Sequence, residues 1–61
     1  MTLNEARKHV GAGVVYRPHP DAQAEDGIIT GVSDRWVFVR YAGDIGAKAT
    51  DPGQLQLLAG A

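Results

Sequence analysis

Apolar residues in the first ten positions fall at Leu3, Ala6 and Val10, the i, i+3, i+7 spacing of a narrow helical stripe. Thr2 and Glu5 stand three apart, the relation in which a helix start satisfies two of its own free amides, and Asn4 is a rival cap. Arg7, Lys8 and His9 gather toward the other end, where the helix dipole favours positive charge. The predicted helix occupies residues 1–11 and stops at Gly11 or Gly13. A helix this short is marginal in water, so its stripe requires an apolar surface to rest on.

From residue 13 onward the period changes from helical to two. Val14-Val15-Tyr16-Arg17 is a β-branched and aromatic run closed by Pro18, and residues 18–26 lack periodicity and read as an exposed loop ending at Asp26-Gly27. Ile28 to Val32 is a second strand with Gly31 as a bulge, followed by a tight turn at Ser33-Asp34. Arg35 to Tyr41 is the strongest strand, with Val37, Val39 and Tyr41 on one face and Trp36, Phe38 and Arg40 on the other. After a glycine-containing loop, Ala47 to Thr50 forms a short strand. Asp51 and Pro52 then cap a single 3-10 turn, and Leu55 to Leu58 forms the last strand. Residues 59–61 make a frayed tail.

The expected fold is therefore mainly β: a five-stranded SH3-like barrel over residues 13–58, with a short N-terminal helix and a 3-10 turn before the last strand, all in one domain. Its core comprises Val14, Tyr16, Ile29, Val32, Val37, Val39, Leu55 and Leu57. The helix stripe is expected to cover Trp36 and Phe38 on the side away from that core.

Val14 to Arg17 with Pro18, Gly27-Ile28-Ile29-Thr30, Asp34, Val37 to Tyr41, and Asp51-Pro52 with Leu55 resemble a group of small uncharacterised bacterial and phage proteins with SH3-like barrels. The resemblance covers residues 13–58 and implies a fold without implying an activity. Gly27, Ile29, Val32, Val37 and Val39 also follow the spacing of Tudor and KOW modules, which implies nucleic-acid binding as an alternative.

Sixty-one residues leave no room for a second domain. A net charge of -1 removes the cationic field that polyanion binding needs, and residues 13–61 alone carry four cations against six anions. Without cysteine there is no disulfide or thiolate site, and no apolar run reaches membrane-spanning length. The opening residues lack the order of a signal peptide, so a cytoplasmic location is expected. His19 and Asp21 flank Pro20 in a loop and do not surround an ion without help from distant groups such as His9 or Glu25; Gly11-Ala12-Gly13 precedes a strand where a phosphate loop would follow one. No enzyme activity, metal or cofactor is expected.

What remains is an aromatic and basic set. Trp36, Arg40, Arg17 and Tyr16 are the candidate binding residues of a protein-interaction adaptor or regulator. Weak nucleic-acid binding and a homodimer through the face of the third strand are the further partner expectations; no membrane partner is expected.

Overall fold

The computed structural model describes residues 1–58, so the expected tail lies outside the described residues. Thr2 caps helix α1 (Leu3–Lys8) by the reciprocal bonds expected of it: Glu5 N–H donates to Thr2 Oγ1 and Thr2 N–H to Glu5 Oε1, each at 3.1 Å. The helix ends earlier than predicted because the following backbone is claimed by a strand. Gly11, at φ +94°, donates to Ile29 O at 2.7 Å, and Ala12 O accepts from Ile29 N–H at 3.1 Å. That left-handed conformation is one glycine reaches without a Cβ clash.

Five antiparallel strands follow: β1 (Gly13–Tyr16), β2 (Glu25–Val32), β3 (Val37–Tyr41), β4 (Lys48–Thr50) and β5 (Leu55–Leu57), with a 3-10 turn at Pro52–Gln54. Their order in one sheet is β4-β3-β2-β1-β5. Asp51 caps the 3-10 turn, its carboxylate accepting from Gly53 N–H at 2.9 Å. β2 begins three residues before the predicted Ile28, since Glu25 and Asp26 pair with Tyr16 and Val15 while their charged side chains stay in water. β3 begins later, at Val37, because the Ser33 hydroxyl accepts from Trp36 N–H at 2.9 Å and holds that residue in the hairpin turn.

The predicted bulge is present one residue earlier. Ile29 pairs with Val39 and Gly31 with Phe38, leaving Thr30 as the extra residue, its hydroxyl donating to Phe38 O at 3.2 Å. This added residue shifts the alternation, which is how Ile29 and Val32, three apart, both reach the core side. Gly31 itself has no positive φ.

Ala6, Val14, Ile29, Val37, Val39 and Leu55 form the buried core, with Met1, Leu3, Tyr16, Val32 and Tyr41 packed partly against it. Tyr16 and Val32 thus border the core, and Leu57 is 37% exposed on the edge strand, short of the full burial expected. The expectation for the helix also requires correction: α1 lies over the core face and leaves Trp36 44% exposed. Ala6 has only a methyl group to insert, so the helix approaches closely. Arg7 donates to Ser33 O and the Met1 amino group to Leu55 O, both at 3.3 Å, and these two bonds tie the helix across the core. The helix stops before Val10, which is 53% exposed and takes no part in the stripe; Met1 joins Leu3 and Ala6 in its place.

β4 and β5 each pair with one neighbour and not with each other, so the sheet is not closed by a ladder. No helix among the described residues is long and apolar enough to cross a membrane.

Candidate binding surface

The four candidate residues do not converge on one site. Tyr16 belongs to the core side, where its ring meets Tyr41 edge to face, centroids 5.8 Å apart and planes at 62°. Arg17 is exposed beside the 3-10 turn, its backbone N–H donating to Gln54 O at 3.0 Å, while the Gln54 amide donates to Pro18 O at 3.0 Å. Trp36 sits in the hairpin after Val32, at the end of β2 remote from Glu25 and its partner Tyr16. Arg40 is exposed on the outer face of β3. Of the set, only Trp36 and Arg40 flank the same strand surface.

A different constellation lies around Arg40. Register places Ile28 directly opposite Arg40, both pointing away from the core, and Ile28 is 43% exposed. They share an open groove of about 510 Å³ whose other walls include Gly13, Asp26, Gly43 and Leu58. On this face Leu58 leans over Gly13 so closely that an added Cβ there would lie 2.8 Å from its Cδ1, whereas Gly27 turns its missing side chain toward Val39 and Tyr41 on the core side. Ile28 has a visible sequence signal, since Ile29 is its inward neighbour and alternation sends it out; the groove itself has none, because it depends on which loop and which strand end come to lie beside the β2–β3 ladder.

Electrostatics of this surface are mixed in sign. Asp26 and Arg40 stand on the groove, and Asp44 on the adjoining loop pairs with Lys48 at 3.4 Å, the one ion pair among the described residues. Such an exposed pair contributes little to stability. On the core side, Tyr41 Oη and Thr50 Oγ1 are 2.8 Å apart, and Thr50 Oγ1 also donates to Lys48 O at 3.3 Å. Burial raises the Tyr41 phenol above its usual range, the Thr50 hydroxyl opposing this because it can turn to donate to a phenolate; Tyr16 and Glu25 add to the rise.

Among the described residues no three of His, Asp and Glu are grouped as metal ligands would be. His19 and Asp21 lie exposed in the loop between β1 and β2. Comparison with protein families, curated proteins and solved structures finds no match.

Proposed function

We propose that this protein is a non-enzymatic interaction module, an SH3-like barrel that binds a protein partner on the outer face of β2 and β3. One observation carries this reading: Ile28 and Arg40 face each other across the ladder in an open groove, an exposed apolar floor beside a cation with no ion partner among the described residues. Phe38, half-buried on the same face, and Trp36 at the hairpin extend it. The barrel is supported by the short link between the two outer strands, since only Asp51 and the three residues of the 3-10 turn join β4 to β5 while Thr50 and Leu55 on either side are both buried. A cytoplasmic setting accords with a chain that needs no disulfide.

The test is photo-crosslinking in the source cell with a photoreactive residue at Phe38 or, as control, at Gln23 in the exposed loop. A distinct protein adduct from position 38 and not from 23 is expected. Equal adducts, or none from 38, overturn the reading. Duplex DNA or RNA should bind more weakly than about 10⁻⁴ M at physiological salt. A micromolar complex whose affinity falls steeply with salt would assign the surface to nucleic acid.

A further inference from the structure

Independently of the outer face, we infer that the core side of the sheet carries a second site at its Tyr16 end, which binds a guanidinium group against Tyr16, Tyr41 and Glu25. Register and alternation bring these residues together. Tyr16 lies two positions after the buried Val14, Tyr41 two after the buried Val39, and Glu25 four before the buried Ile29, so all three belong to the inner face. Glu25 is the direct partner of Tyr16, and Gly27 of Tyr41. β2 separates β1 from β3, a gap of roughly 10 Å for two strand spacings. The tyrosine centroids nevertheless stand 5.8 Å apart. Gly27 is what lets them meet, since a Cβ there would lie 3.1 Å from Tyr41 Cδ1.

The two rings open onto a pocket of about 310 Å³ whose other walls include Glu25, Asp44, Lys48 and Thr50. Its chemistry selects the ligand. Glu25 has no ion partner among the described residues, while Asp44 and Lys48 offset each other at 3.4 Å, so the ionisable walls leave one negative charge. Tyr41 and Thr50 are bonded at 2.8 Å and Thr50 donates onward to Lys48 O, so the Tyr41 proton is engaged and its oxygen is left to accept. The Tyr16 hydroxyl has no hydrogen-bond partner among the described residues. An aromatic corner with a spare carboxylate and spare acceptors suits a cation that carries N–H donors, which a quaternary ammonium lacks. A guanidinium lays its flat, weakly hydrated head on a ring while its fork of N–H groups reaches the carboxylate, whereas a lysine ammonium gives up more water and has no plane to stack. One carboxylate and one ring, both close to solvent, place the dissociation constant on the order of 10⁻³ M.

Amide NMR titration of the full chain with Nα-acetyl-arginine amide up to about 50 mM, well past that constant, at fixed ionic strength tests this. Saturable shifts should centre on Tyr16, Glu25, Tyr41 and Thr50 and leave Ile28 and Arg40 unmoved. Nα-acetyl-lysine amide and tetramethylammonium should each bind at least about tenfold more weakly. Glu25→Gln, at an exposed side chain, should keep the parent's melting temperature and weaken binding about tenfold. Lys48→Gln removes the opposing cation and frees Asp44, so it should tighten binding. Free arginine carries the same head group: binding of the blocked form as tight as that of free arginine assigns the site to an arginine within a peptide, and binding of free arginine alone assigns it to a small guanidine. Shifts that stay linear throughout, ammonium ligands that match the guanidinium, or a Glu25→Gln variant that binds like the parent overturns the inference. The outer-face reading is judged separately, because the Phe38 crosslink reports the other side of the sheet.

Discussion

The Tyr41 hydroxyl lies 2.8 Å from Thr50 Oγ1, a bond that joins the end of β3 to the end of β4 inside the otherwise apolar side of the sheet. Thr50 spends its own hydrogen on Lys48 O, so the neutral phenol is the donor to Thr50 and the two side chains form a short relay ending on the backbone. Thr50 is the one buried polar residue described, and the relay is what makes its burial tolerable.

Burial of the Tyr41 phenol sets an alkaline limit on the fold. Burial raises the Tyr41 pKa above 10.0, so the folded chain holds this proton to higher pH than the unfolded chain does. The associated stability is complete below about pH 10 and is lost as pH rises through the higher folded value. Urea denaturation between pH 8 and 11 should show this fall. Tyr41→Phe should flatten it while costing about 1 kcal/mol at neutral pH, the worth of one hydrogen bond. A variant with the parent's alkaline slope would assign the loss to another group.

Two glycines in β2 should respond in opposite directions. A Cβ on Gly27 would lie 2.5 Å from Val39 Cγ1 and 3.0 Å from Arg40 O, and the backbone atom cannot step aside. Gly27→Ala should cost about 2 kcal/mol or more, within the range for overpacking. A Cβ on Gly31 meets nothing within 4 Å and its φ is not positive, so Gly31→Ala should be neutral or stabilise by up to about 1 kcal/mol through the unfolded chain. Thermal melts of the pair read both signs.

Neighbours in β3 separate the two faces. Val39 is fully buried and Phe38 only partly. Val39→Ala should cost roughly 2 kcal/mol, whereas Phe38→Ala, although it deletes more atoms, should cost less than its size implies. Chemical denaturation of both variants decides this; a larger loss at Phe38 would place the core on the other side of the strand.

Thr2→Ala should lower stability by about 1 kcal/mol, since it leaves Glu5 N–H without its acceptor in a helix of only six residues. The Trp36 emission maximum should not move, because α1 covers the core and not the indole. A blue or red shift accompanying the loss would put the helix against Trp36.

Much of this architecture was legible from local chemistry. The capping box, the 3-10 turn at Asp51-Pro52 and the inward set Val14, Ile29, Val37, Val39 and Leu55 follow from spacing and alternation alone, and all are present. The start of β2 was hidden because Glu25 and Asp26 contribute backbone bonds, which residue type does not advertise. The helix position was hidden for a different reason: Trp36 and Phe38 offer more apolar area, yet the core valines lack any other cover, and Ala6 is small enough to let the helix reach them. The Ile28–Arg40 groove belongs to tertiary geometry, which brings the loop after Tyr41 and Leu58 beside the same pair of strands.

The two outermost strands bear on a hazard that open sheets share. β4 and β5 are three residues each, Lys48 charges the first, and Pro52 just beyond it has no amide to donate. A foreign strand laid along either edge finds too few consecutive backbone partners to hold register, and a lysine to desolvate on one side. An exposed ladder of such brevity is a poor template for fibril growth, so a chain this small can leave its sheet unclosed by a ladder without inviting its neighbours to extend it.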